Sequence, residues 1–151
     1  MKIAVVTDST AYLTKEELAE YGVYVLPMSV IFGQETYREE IDITAEEFYA
    51  KVKSSPVFPT STQPAVGETY ELFRELAKDY DAIIPITISS GISGTYQTCV
   101  AVAEDMKDEI AIYPIDSEIS CAPQARAVKL AAIMAKSGEY SPEEIVETVQ
   151  R

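Results

Sequence analysis

The sequence predicts an α/β fold, a mainly parallel sheet with helices on both faces. Short β-branched runs alternate with amphipathic stretches of helical length. That alternation marks a parallel sheet, because parallel strands need long crossovers. Three of the runs stop at small polar residues: Asp8-Ser9-Thr10, Ser89 through Thr95, and Asp116-Ser117. In a parallel sheet such strand ends share one edge, where ligands bind. The length, 151 residues with 47% hydrophobic and 25% charged, suits a single domain, 1–151, with its own core.

Each element has a local reason. "KIAVVT" (2–7) is a compact apolar run and predicts a buried strand. Thr14-Lys15-Glu16-Glu17 is a capping box, with Leu13 and Leu18 as its hydrophobic staple, and Gly22 ends that helix after Tyr21. "VYVLP" (23–27) predicts the next strand, and "SVIFGQETYRE" a short hairpin excursion around Gly33-Gln34. The capping box recurs at Thr44 with Glu47 and at Ser141 with Glu144, where Pro142 takes the first helical position. Helices are therefore expected over 44–53 and from 141. "SSPVFPTSTQPAVG" carries Pro56, Pro59 and Pro64 and predicts a loop at least through Gln63. A helix follows over 66–78, with Val66, Tyr70, Phe73 and Ala77 on one face. Residues 81–88 predict a strand, 93–107 a helix, 110–115 a strand and 122–137 an alanine-rich helix ended by Gly138.

Composition excludes several function classes. Twelve basic and 25 acidic residues give a net charge of −13, which opposes binding to nucleic acid or to anionic membrane surfaces. No apolar run is long enough for stable membrane insertion, and the N-terminus has no signal-peptide pattern, so a cytoplasmic location is expected. With no histidine, a Ser-His-Asp hydrolase cannot be assembled, and the commonest zinc ligand is missing. No metal or cofactor is expected: neither GxxxxGK[ST] nor GxGxxG occurs. Cys99 and Cys121 lie far apart and are expected as buried free thiols.

Within "ISSGISGTYQT", residues 89–95 place four hydroxyls and two glycines where a strand gives way to a helix. The first amides of a helix lack intrahelical partners and carry partial positive charge. Glycines let the backbone approach a ligand, and hydroxyls add donors. Such a loop binds a single carboxylate or phosphate without any lysine. The alternative is structural: Ser93 caps its helix, the glycines turn the chain, and Asp8-Ser9-Thr10 is an Asx turn. Tyr12, Tyr37 and Tyr96 are expected to pack, and Arg126 to face solvent.

Read together, "VVTDSTAYLT", "PTSTQPAVGETYELF" and "ISSGISGTYQT" resemble the DegV family of bacterial fatty-acid-binding proteins. "YREEIDITAEEFY" and "YPIDSE" resemble its connecting segments, in register over nearly the whole chain. The resemblance implies a non-catalytic carrier that holds one long-chain fatty acid and presents it to a separate kinase subunit for acyl-phosphate formation. By motif, Ser93 and Gly94 match the serine and glycine of the family's SGT. Ser61 and Thr62 match its TS pair in reversed order, leaving open which of the two hydroxyls reaches the carboxylate. Asp8, Ser9, Ser89 and Thr95 are expected to support that edge.

The resemblance also implies a second domain that closes the tunnel. This chain is therefore expected to be the N-terminal domain of a two-domain protein, ending in or after its final helix. Burying a CH₂ group contributes about 0.8 kcal/mol, so half a tunnel is expected to bind weakly or not at all. Exposed apolar surface would then favour self-association. The segment Glu118 through Gln124 departs from the family's glycine-containing pattern, so that wall is expected to differ. Two other readings compete: a module for a small phosphorylated metabolite, and a transferase using Ser93 as an acyl or phosphoryl nucleophile. The second would need a base such as Asp8 or Asp116.

Overall fold

A computed structural model describes residues 1–150 except Glu40, Ile92, Ile119 and Ser120; the side chains of Ala45, Ser61, Cys121 and Ala122 also lie outside the description. In chain order the elements are β1 (Ile3–Asp8), a 3₁₀ turn (Ser9–Ala11), α1 (Lys15–Tyr21), β2 (Val23–Leu26), β3 (Ser29–Phe32), β4 (Glu35–Arg38), α2 (Ala45–Ser54) and β5 (Thr60–Thr62). There follow α3 (Val66–Ala77), β6 (Ala82–Thr87), α4 (Thr95–Asp105), β7 (Ala111–Ile112), β8 (Ile115–Asp116), α5 (Cys121–Ser137) and α6 (Pro142–Val149).

β2, β1, β6 and the β7/β8 pair form one parallel sheet in that spatial order. Period-two alternation sends Ile3, Val5, Ile84 and Ile86 to one face, against Val128 and Ala131 of α5 and Ile145 of α6. Ala4, Val6 and Ile83 face the other way, against Phe73 and Leu76 of α3 and Cys99 and Val102 of α4. Both faces are covered, which is why β1 and β6 read as unbroken apolar runs. The strand expected over 110–115 is two short pieces in one register, Ile83 opposite Ile112 and Ile86 opposite Ile115. Pro85 and Pro114 lie in the gap, and neither has an amide to give to the ladder.

The excursion after β2 is more than a hairpin. β4, β3 and β5 make a second, antiparallel sheet with Ser29 opposite Thr62 and Ile31 opposite Thr60. The expectation of loop through Gln63 is thus corrected at Thr60–Thr62. Pro59 and Pro64 stand outside the paired residues, so the three between them keep their amides for β3. A small core of Val30, Phe32 and Ile43, with Phe48 and Val52 of α2 against it, supports this sheet.

The three capping boxes form as expected, with amide-to-hydroxyl bonds Glu17 to Thr14 (3.0 Å), Glu47 to Thr44 (3.2 Å) and Glu144 to Ser141 (3.2 Å). Gly22 ends α1 at φ 66°. Tyr37 packs edge-on against Phe32, and Arg126 is exposed. Tyr12 differs from expectation. It closes the 3₁₀ turn in the left-handed region at φ 53°, and its side chain is 66% exposed. Among the described residues, no helix is long and apolar enough to cross a membrane, and no cluster of His, Cys, Asp and Glu is arranged to hold a metal.

Candidate functional site

The carboxyl ends of β1 and β6 reach one edge of the large sheet, and the small sheet folds over the same edge. A cleft of about 340 Å³ opens between them, lined by Thr10, Tyr12, Met28, Glu39, Thr62, Gln63, Ile88, Ser93 and Gly94. Thr62, Ser93 and Gly94 therefore meet there, Thr62 delivered by β5 and the other two by the turn before α4. Ser61 stands one residue earlier on β5, opposite Val30.

α4 starts two residues later than expected. Gly94 is its cap, without a side-chain hydrogen bond, so Ser93 is not the capping residue. The Ser93 hydroxyl lies 2.8 Å from that of Thr95 and accepts the Thr95 amide at 3.3 Å. The Thr95 hydroxyl also lies 3.6 Å from Met28 Sδ. A thioether is a weak acceptor. Either hydroxyl of the Ser93–Thr95 pair can donate to the other, and with Thr95 donating the Ser93 proton is available to a ligand.

Gly94 presses on Gln63. A Cβ at Gly94 would meet Gln63 Oε1 at 2.1 Å, while Gln63 Nε2 donates to Thr98 Oγ1 at 2.9 Å. The φ of −83° at Gly94 suits any residue, so what glycine gives here is room for the Gln63 amide.

The other expected residues lie behind the cleft wall. Asp8 is fully buried. Its Oδ2 accepts the Ile88 amide at 2.7 Å. Its Oδ1 accepts the Thr10 amide at 3.0 Å, the Thr10 hydroxyl, and Gln124 Nε2 at 3.1 Å. Ser9 accepts the Met28 amide and donates to Glu39, both at 2.9 Å, and so ties the 3₁₀ turn to the small sheet. Ser89 closes its own loop: its hydroxyl accepts the Gly91 amide (3.2 Å) and its carbonyl the Ser93 amide (3.1 Å). Asp116 anchors that loop by accepting the Ser90 amide at 3.2 Å and the Glu118 amide at 2.9 Å. Burial works against the Asp116 charge, yet hydrogen bonding from the Ser90 side chain, and then from the Glu118 and Ser90 amides, outweighs it and holds the carboxyl below its ordinary range.

Cys99 is free and buried behind the same edge. Burial, and then the Asp8 charge, push its thiol up to about 12.

Sequence reasoning missed Glu39, Met28 and Gln124, and misjudged Tyr12. None carries a local signal, since each is recruited by a contact distant in sequence. A second groove of about 420 Å³ adjoins the cleft, sharing Tyr12 and Glu39, with an apolar lining that includes Leu13, Leu18, Val25, Pro27 and Ile41.

Protein DegV of Bacillus subtilis (strain 168) is 47% identical over 150 residues, covering 99% of this chain and 53% of that protein. Its crystal structure, described as that of a fatty acid binding protein, superposes with a TM-score of 0.94, again over 99% of this chain and 53% of the other. A DegV family protein from Thermus thermophilus, described by its fatty acid binding, gives a TM-score of 0.89 at 28% identity over 100% of this chain and 53% of that one. A fatty acid binding DegV family protein from Streptococcus agalactiae gives 0.87 at 31% identity over 99% and 53%. The chain thus spans about half the length of the relatives it matches. The family model described as an uncharacterised protein of the DegV family matches residues 2–151. Motifs, fold and relatives agree over almost every residue: the chain belongs to the DegV family.

Proposed function

We propose that this chain supplies the head-group side of a fatty-acid carrier. The ligand carboxylate sits in the cleft, where it accepts from the Ser93 hydroxyl, the Thr62 hydroxyl and an uncapped amide at the start of α4. Met28 and Ile88 line the same cleft and give the first methylenes an apolar wall. The observation that carries this reading is a convergence: Thr62, Ser93 and Gly94 come from two sheets onto one cleft, and none of its described lining residues is Lys or Arg. Hydroxyls and amides suit a monoanion. A phosphate dianion would face the Glu39 carboxylate in the cleft and Asp8 behind it with a second negative charge, and so would be repelled more strongly than a carboxylate. The relatives described as fatty acid binding support the same ligand class.

The role we assign is carriage rather than catalysis. The Ser93 hydroxyl meets the hydroxyl and amide of Thr95, and neither is a base that would take its proton. Phosphorylation of the bound acid would then fall to a separate kinase subunit, as the family resemblance implies.

The test is native mass spectrometry with lipid extraction, followed by titration with palmitate. A hydrogen bond to a charged group is worth about 1.5–3 kcal/mol, so Ser93→Ala should weaken binding by roughly 10- to 100-fold. Competition by inorganic phosphate with no effect of palmitate would replace this reading with a phosphorylated-metabolite module.

A further inference from the structure

We infer that Gln124 is a positioning residue for the head-group cleft, acting through Asp8 and Thr10 rather than by touching the ligand. The inference rests on the carboxylate reading above. Gln124 is fully buried in the first turn of α5, an unusual place for an amide unless every polar atom is used. Here they are used. Nε2 donates to Thr7 Oγ1 at 3.0 Å and to Asp8 Oδ1 at 3.1 Å, while Oε1 accepts the Thr10 hydroxyl at 3.0 Å. The orientation of the amide is determined by its partners: a flip would set Oε1 against the Asp8 carboxylate, which can only accept.

Two consequences reach the cleft. First, Gln124 holds Asp8 in the rotamer whose other oxygen takes the Ile88 amide at 2.7 Å. Ile88 lines the cleft and leads directly into the turn that carries Ser93 and Gly94. Second, the Thr10 hydroxyl has one proton, and both of its recorded acceptors, Asp8 and Gln124, lie behind the wall. Toward the cleft Thr10 offers only lone pairs. Donation to an anion is thereby left to Thr62, Ser93 and the α4 amides, and the head group is drawn to that side. A residue on α5 thus sets the geometry of a loop 30 positions earlier.

The test compares Gln124→Met, which keeps the side chain's length and removes its hydrogen bonds, with the unaltered chain. Two measurements are made: affinity for palmitic acid against hexadecanol, and hydrogen exchange of the Ile88 amide. A positioning role predicts at least a tenfold loss of acid affinity with hexadecanol little changed, and at least tenfold faster exchange at Ile88 with Ile84 unaffected. Equal loss for acid and alcohol, with Ile88 protection intact, would make Gln124 a packing residue and overturn the inference. Binding of neither compound is the outcome expected of half a tunnel, and Ile88 exchange alone then decides the positioning role; binding of inorganic phosphate in place of palmitate would end the carrier reading. Gln124→Glu is the second variant. When protonated it keeps one donor and one acceptor, and Asp8 is the charged group that faces it. Relative to the unaltered chain at each pH, its acid affinity and Ile88 protection should be near normal at about pH 5.5 and lost by about pH 8. A flat profile would count against the inference.

Discussion

Gly94→Ala offers a sharp test of the cleft because one contact decides it. The backbone at Gly94 has φ −83°, which alanine adopts freely, so conformational strain contributes nothing. The obstacle is Gln63: the new Cβ would sit 2.1 Å from Oε1 and 3.3 Å from the amide carbon. No carbon and oxygen tolerate that approach, so the Gln63 amide must swing away and give up its 2.9 Å bond to Thr98. Losing a bond of this kind costs about 1 kcal/mol. Alanine in place of glycine at a helix cap adds about 0.5 kcal/mol. Gly94→Ala should therefore destabilise by about 1.5 kcal/mol, and Gln63→Ala alone by about 1 kcal/mol. The double variant has no amide left to displace, so it should also lose only about 1.5 kcal/mol, a coupling of about 1 kcal/mol. Urea denaturation of the four proteins measures this cycle. Additive losses, within about 0.3 kcal/mol, would refute the contact between Gln63 and the Gly94 backbone.

Other outcomes follow from the same structure. Cys99, with its thiol raised to about 12, should resist alkylation in the folded protein at about pH 8 and react once urea is added; peptide mapping separates it from Cys121. Asp116 lies below its ordinary value of 3.8, so its contribution to stability is complete above that pH and fades as pH falls through the lower folded value. Asp116→Asn should flatten the stability curve between about pH 5 and about pH 2, read by thermal unfolding, and an unchanged slope would remove Asp116 as the anchor of Ser90. Thr44→Ala should cost about 1 kcal/mol in urea denaturation by removing the cap of α2, whose loss loosens the small sheet. With Tyr12, Ile41 and Phe58 at 66%, 58% and 91% exposure, we expect concentration-dependent self-association by sedimentation velocity, weakened by Phe58→Ser.

By itself the sequence determined the elements whose causes lie within a few residues. The capping boxes at Thr14, Thr44 and Ser141, the stop at Gly22, and the β-branched runs of β1 and β6 are local chemistry. The polar strand ends were legible for the same reason, and in a parallel sheet they had to share an edge. The motifs around Ser61, Ser93 and Asp8 were enough to name the family. Tertiary structure decided what lies between those motifs. β5 is three residues long, too short for any periodicity, and exists because β3, about thirty residues away, offers it a ladder. That pairing carries Thr62 and Gln63 to the cleft. The start of α4 moved from Ser93 to Thr95 because the turn before it is held by the Ser93 amide on the Ser89 carbonyl, the Ser90 amide on Asp116 and the Ser93 hydroxyl on Thr95 rather than by a side-chain cap. Gln124 finds its partners more than a hundred residues back, at Thr7, Asp8 and Thr10, and nothing beside it in the chain distinguishes it from a solvent-facing glutamine. Local propensity sees only neighbours in sequence. A buried polar group and a recruited edge strand are stabilised by neighbours in space, so only the folded chain reveals them.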